Sequence, residues 1–167
     1  MKKKIVILGS TGSIGKTTIE IFKKNKNNYK IVLLTTNKNI NELIKQANFF
    51  SVKNLIVTDK KKFALLKKKL INKKINVFND FNCFDKIFNN KIDYTMSSIS
   101  GLDGLKPTLE IIKFTKKIAI ANKESIICGW NLINKKLIKY KTTFIPVDSE
   151  HFSIWSLINN SNKNKID

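Results

Sequence analysis

The chain has 167 residues, 42% of them apolar, two cysteines and a formal net charge of +20. That length holds one domain and the start of a second, with apolar residues enough for a core. It excludes a disulfide-stapled or zinc-clipped module, because Cys83 and Cys128 stand far apart without C-x-x-C spacing, and a membrane-spanning helix, because no apolar run approaches about 18 residues.

A reduced, cytoplasmic setting is therefore expected, and the N-terminus carries neither a secretion signal nor a transit peptide. The positive charge has two readings. One is a nucleic-acid binder, whose lysines neutralise phosphates. The other is compositional drift, since lysine, asparagine and isoleucine crowd every region and the lysines (Lys60 to Lys62, Lys67 to Lys69, Lys135, Lys136, Lys139) lack interleaved aromatics. The second is preferred, with attraction of small anions as a by-product.

Lys3 to Leu8 reads as a buried strand, followed by the turn Gly9-Ser10-Thr11-Gly12-Ser13-Ile14-Gly15 and a helix to about Lys24 with Ile14, Thr18, Ile21 and Phe22 on one face. A strand, a glycine turn and a helix are the opening of a nucleotide-binding βαβ unit. Glycine lets the backbone approach a ligand, free N–H groups at the helix start bind pyrophosphate, and the hydroxyls of Ser10, Thr11 and Ser13 add donors. The plain alternative is a tight turn with no ligand. A P-loop is excluded, because the four-residue gap between glycines is absent despite Lys16-Thr17.

Tyr29 to Thr35 is the second strand. An NAD site places Asp or Glu at this strand's end, roughly 20 residues past the glycines. Here the residues are Thr35-Thr36-Asn37-Lys38-Asn39, with a cation and no acid, which favours the 2′-phosphate of NADP over NAD. Asn37 to Asn39 as a simple polar turn is the alternative. Helix Asn41 to Phe50 follows, with Leu43, Ile44 and Ala47 inward, then strand Asn54 to Val57 and helix Lys60 to Leu70, capped by Asp59. Strand Ile75 to Phe78, a short helix Phe81 to Phe88 and strand Tyr94 to Ile99 lead to a second glycine turn, Ser100-Gly101-Leu102-Asp103-Gly104. Helix Leu105 to Phe114 with Pro107 in its first turn, strand Ile118 to Ala121, helix Glu124 to Lys139 and strand Thr143 to Val147 complete the series. Strands alternating with helices predict a doubly wound parallel α/β sheet, a Rossmann-like domain over residues 1–147, with residues 148–167 beginning a second, catalytic domain.

Two strand ends carry concentrated polar chemistry. In Ala121-Asn122-Lys123-Glu124-Ser125, Lys123 can meet a substrate oxygen or phosphate while Asn122 and Glu124 meet a cofactor, or Asn122 can cap the helix with Glu124 complementing its dipole. In Pro146-Val147-Asp148-Ser149-Glu150-His151, Asp148 and Glu150 can converge on Mg²⁺ or Mn²⁺, or a helix can start there with Asp148 or Ser149 as its cap. Two carboxylates do not complete an octahedral site, and His151, the one histidine, has no assigned role.

Together, the glycine turn, Ala121-Asn122-Lys123-Glu124-Ser125 and Pro146-Val147-Asp148-Ser149-Glu150-His151 resemble three signatures of the 1-deoxy-D-xylulose 5-phosphate reductoisomerases, in that family's order, over about Lys3 to Leu157. The resemblance implies a metal-assisted rearrangement of 1-deoxy-D-xylulose 5-phosphate followed by hydride transfer from NADPH, giving 2-C-methyl-D-erythritol 4-phosphate for isoprenoid synthesis. It implies that Thr11, Gly12, Ser13 and Ile14 line the NADPH site. Lys38 and Asn39 would stand near the 2′-phosphate, with Asn37 where the family often has glycine. Asn122 and Glu124 would contact NADPH, Lys123, Ser149 and Glu150 the sugar phosphate, and Asp148 and Glu150 the Mg²⁺ or Mn²⁺; Lys123, Asp148 and Glu150 would be the catalytic set.

The partners it implies are a small-molecule substrate and, in the complete family member, a second copy, with no nucleic acid and no membrane. Family members also continue into a third metal carboxylate, phosphate-binding residues, a lid and a helical domain, so this chain is expected to stop just inside the catalytic domain. Met96-Ser97-Ser98-Ile99-Ser100 with Asp103 is more polar than the family's small apolar stretch. The competing expectations are another NADP-dependent dehydrogenase without a metal and a non-catalytic basic binding module.

Overall fold

The structure, a computed structural model, describes residues 1–147. The unbroken apolar run near the start forms strand β1 (Lys3–Leu8), whose side chains divide between two cores: Ile5 and Ile7 enter one, Val6 and Leu8 the other. A strand is apolar at successive positions when both faces of its sheet are covered. The same holds for β3 (Asn54–Val57), where Leu55 and Val57 face one core and Ile56 the other.

The remaining strands are β2 (Tyr29–Thr36), β4 (Asn76–Phe78), β5 (Ile92–Ser97), β6 (Thr115–Ile120) and β7 (Thr143–Pro146). Every pairing among the seven is parallel, in the order β4-β3-β2-β1-β5-β6-β7. On one face, α1 (Ser13–Lys24), α2 (Ile40–Phe50) and α3 (Lys60–Lys69) supply Ile19, Phe22, Leu43, Ala47 and Leu66. On the other face, the short α4 (Phe84–Ile87) with α5 (Leu105–Ile111) and α6 (Lys123–Tyr140) supplies Phe84, Ile111, Ile133 and Leu137. Each fully buried aliphatic or aromatic side chain contributes about 1.5–3 kcal/mol. The expected doubly wound sheet is the sheet observed.

Local differences have local causes. α1 buries Gly15, Thr18, Ile19 and Phe22, while Ile14 and Ile21 are exposed. The inward stripe is set by Gly15, whose bare Cα lies against the Gly9–Ser10 backbone. β6 begins at Thr115 rather than Ile118, taking in the exposed Lys116 and Lys117. β5 likewise begins at Ile92 and ends at Ser97.

These early residues belong to the strands because Asp93 on β5 bonds across both neighbours. Its carboxylate accepts from the Lys4 N–H and from Lys116 Nζ, each at 2.8 Å. Those hydrogen bonds, chiefly the one from Lys116, hold the Asp93 carboxyl below the usual carboxylate range. The two cysteines are free: Cys83 is buried, which pushes its thiol up to about 11, and Cys128 is exposed on α6.

Candidate functional site

The strand order reverses at β1, which has β2 on one side and β5 on the other. Loops leaving the carboxyl ends of β1 and β5 pass to opposite faces, and open α/β sheets bind ligands in the crevice this leaves. A cleft of about 800 Å³ lies there. Gly9, Thr11 and Gly12 line it from the β1 turn, Thr35 to Asn39 from the end of β2, and Ser98 to Ser100 with Leu102, Asp103, Lys106 and Pro107 from the segment after β5.

The glycines of the first turn have separate tasks. Gly9 has φ +79°, and a Cβ there would lie 2.8 Å from the Ser98 carbonyl oxygen. Gly15 lets α1 rest on the backbone of Gly9 and Ser10. At Gly12 a Cβ would meet only the Gly9 carbonyl, at an ordinary 3.5 Å, so nothing in the chain itself demands glycine at this position.

Gly12 is also the cap residue of α1, where no side chain takes up the helix's first amides and no acid stands in the first turn. Among the described residues, the N–H groups of Thr11, Ser13, Ile14 and Gly15 reach no acceptor. Free amides at the positive end of a helix dipole form a ready anion site.

The polar side chains around this turn are mostly committed to holding it. Thr35 Oγ1 accepts from the Gly9 N–H at 2.7 Å, and the Thr11 and Thr36 hydroxyls share a hydrogen bond at 2.6 Å. Ser10, read from sequence as a further donor to phosphate, is buried, and its hydroxyl donates to the Thr35 carbonyl. It therefore belongs to the scaffold.

Asn37, Lys38 and Asn39 stand exposed on the cleft's β2 side. Asn39 Oδ1 caps α2 by accepting the Glu42 N–H at 3.2 Å, which leaves its NH₂ group toward solvent. The cleft lining thus carries two lysines, Lys38 and Lys106, against one carboxylate, Asp103.

Asn122 is 4% exposed and has all its side-chain atoms engaged. Its Oδ1 accepts the Ser125 N–H at 2.9 Å, capping α6, and its Nδ2 donates to the carbonyls of Ile99 and Gly101. The cap that the sequence left as an alternative is therefore present, and it also ties β6 to the loop forming the cleft's far wall. Lys123 and Glu124 follow, exposed, on the first turn of α6.

The unusually polar end of β5 is satisfied internally. Ser97 shares a hydrogen bond with Thr108 at 2.7 Å, and the Ser98 hydroxyl donates to the Leu8 carbonyl at 2.7 Å. Buried hydroxyls paired in this way do not disturb the cleft.

Lys106 was not picked out by sequence reasoning. Its one signal is position after β5, and that acquires meaning only once β5 is known to lie beside β1. Asp148, Ser149, Glu150 and His151 lie outside the described residues, and among the described residues no group of three His, Cys, Asp or Glu is placed to hold a metal ion. No described helix is long and apolar enough to cross a membrane.

Comparison with known proteins agrees with this geometry. A family model described as 1-deoxy-D-xylulose 5-phosphate reductoisomerase matches residues 5–129. The chain is 64% identical over 167 residues to the reductoisomerase of Pelagibacter ubique, covering 99% of this chain and 43% of that protein. It is 36% identical to the enzyme of a Wolbachia from Culex pipiens, covering 96% of this chain and 41% of that protein. Among solved structures, the Zymomonas mobilis reductoisomerase in complex with NADPH superposes with TM-score 0.82 at 32% identity, covering 90% of this chain and 40% of that one. A reductoisomerase in complex with NADPH, fosmidomycin and magnesium gives TM-score 0.81 at 30% identity, covering 89% and 37%. Homoserine dehydrogenase from S. aureus, at 17% identity and TM-score 0.51, shares the fold alone. The chain spans about two fifths of the length of the relatives it matches.

Proposed function

We propose, from the premise that the chain belongs to the 1-deoxy-D-xylulose 5-phosphate reductoisomerase family, that it forms the NADPH-binding portion of such an enzyme. The observation that carries the proposal is the cleft at the switch point. It offers unpaired backbone amides at Thr11, Ser13 and Ile14, open space over Gly12, and Lys38 where an NAD site would have an acid. That donor set fits a dinucleotide with an extra phosphate: amides and a helix dipole for the pyrophosphate, a cation with two amide side chains for the 2′-phosphate.

In this reading Thr11, Gly12, Ser13 and Ile14 bind the pyrophosphate, and Asn37, Lys38 and Asn39 the 2′-phosphate. Asn122 shapes the wall on which the nicotinamide end rests, with Glu124 beside it. NADPH, when bound, supplies the hydride that reduces the rearranged substrate. The chain's own part is to orient that cofactor at the carboxyl edge of the sheet, where β1, β5 and β6 deliver their loops.

Lys123 and, by sequence alone, Ser149 are assigned to the sugar phosphate. Asp148 and Glu150, likewise by sequence alone, are assigned to Mg²⁺ or Mn²⁺, which supplies Lewis acidity. The overall reaction is 1-deoxy-D-xylulose 5-phosphate to 2-C-methyl-D-erythritol 4-phosphate. The complete enzyme is read as a cytoplasmic homodimer, in keeping with the free thiols and the family resemblance.

The test is a thermal-melt titration of this chain with NADPH and NADH. A ligand at about 100 times its Kd adds about 2.7 kcal/mol to stability, so binding is measurable as a rise in melting temperature. NADPH is expected to stabilise the chain far more than NADH, and Lys38→Glu to remove most of that preference. A folded chain that responds to neither nucleotide would overturn the assignment of the cleft.

A further inference from the structure

Gln46 lies on α2, 36 residues from Ser10 in the glycine turn, yet it is 3% exposed and commits both amide hydrogens to fixed acceptors. Its Nε2 donates to the Ser10 carbonyl at 3.0 Å and to the Glu42 carboxylate at 3.1 Å. Its Oε1 is buried with no partner. Turning the amide over would set that oxygen against a carbonyl and a carboxylate, both acceptors, so the orientation is fixed by its neighbours.

A buried acceptor left unpaired is unfavourable, and an apolar side chain of the same shape would avoid it. The gain that offsets it is the hold on Ser10. The Ser10 carbonyl belongs to the same planar peptide as the Thr11 N–H, and in a trans peptide the two point in opposite directions. Drawing the carbonyl inward toward α2 therefore turns the Thr11 N–H outward, where it has no protein acceptor and Thr11 lines the cleft. The other side of the same residue is pinned as well, by the Ser10 N–H donating to the Thr35 carbonyl at 2.9 Å.

We infer that Gln46 is a positioning residue for the dinucleotide site, setting the Ser10–Thr11 peptide so that the Thr11 amide faces the pyrophosphate. The inference rests on the cleft being the NADPH site. Through Glu42, whose N–H is capped by Asn39, the same side chain also joins the pyrophosphate turn to the turn carrying Lys38. The turn for the cofactor's pyrophosphate and the turn for its 2′-phosphate thus both adjoin one helix.

The experiment compares two ligands on the full chain, NADPH and adenosine 2′-monophosphate, which has the 2′-phosphate but no pyrophosphate. Wild type is measured first; failure to bind NADPH there would overturn the reading of the cleft itself. With Gln46→Met, which keeps length and removes both donors, NADPH affinity is expected to fall about tenfold or more, while the monophosphate changes less than about twofold. Gln46→Ala, which removes the donors without setting a second carboxylate beside Glu42, is read in the same way if the first variant does not fold. A folded variant that binds NADPH as wild type does, or that loses both ligands equally, would overturn the inference, since a merely structural role would not separate them.

Discussion

At the scale of single residues, the three glycines of the first turn look equivalent in sequence and differ once placed. Gly9 combines a left-handed backbone with contact to the Ser98 carbonyl, so Gly9→Ala is expected to cost about 2–4 kcal/mol of folding stability in a urea melt. Gly12 has an ordinary extended backbone, φ −75° and ψ 176°, and room for a Cβ. Gly12→Ala should cost no more than about 1 kcal/mol, the difference between glycine and alanine as a helix cap, yet weaken NADPH about tenfold or more by occupying the space the pyrophosphate needs. The reverse pattern, a destabilised protein with intact binding, would mean that Gly12 serves the fold. Glycine spacing was legible in the sequence; the division of labour depends on which backbone each missing Cβ faces.

Among the elements, α6 shows how capping and site building coincide. The Asn122 side chain starts the helix and, through the same group, fixes the Ile99–Gly101 loop. Asn122→Ala removes the cap and leaves two loop carbonyls without their donor, an expected loss of about 2–3 kcal/mol by equilibrium unfolding. Asn122→Asp keeps the cap but not the donors, so it should recover only the part due to the helix. Full recovery by aspartate would show that the loop contacts contribute nothing. From sequence, the cap at Asn122 stayed one of two readings, because the loop it reaches lies about 20 residues back, just after the neighbouring strand β5. Gln46 was unreadable for a related reason: a polar residue beside the apolar stripe of α2 looks solvent-facing until its helix is set against the glycine turn.

For the whole molecule, charge is the dominant property. Exposed lysines lie on α1, α2, α3 and α6, while acidic residues total only 12. Twelve acids cannot pair 32 cations; among the described residues, Lys113 meets Asp85 at 3.0 Å and Lys116 meets Asp93 at 2.8 Å. Self-repulsion of this kind destabilises the compact state and is relieved by salt. Raising KCl from about 0.1 M to about 1 M shortens the Debye length from about 10 Å to about 3 Å and should raise the melting temperature of the ligand-free chain by several degrees. A constant or falling melting temperature would show that the fold already compensates its charge locally. The same field draws anions toward the protein, and with Lys38 and Lys106 on its lining the cleft gains from it directly.

By itself the sequence determined the class of fold, the order of strands and helices, the glycine turn that opens the first βαβ unit and the cation in place of an acid at the end of β2. All of these are written in local patterns: apolar runs, glycine spacing, and the charge at a strand's end. Only the tertiary structure decided the order of strands in the sheet, and with it the pairing of β1 with β5 that brings Ser98, Asp103 and Lys106 to the cleft. It also decided which polar side chains are already hydrogen-bonded within the fold, as those of Ser10 and Asn122 are. The physical reason is that a hydrogen bond between residues 20 to 90 apart in sequence, such as Ser98 to Leu8 or Gln46 to Ser10, leaves no periodic trace in the chain. Its partner is chosen by packing across the sheet.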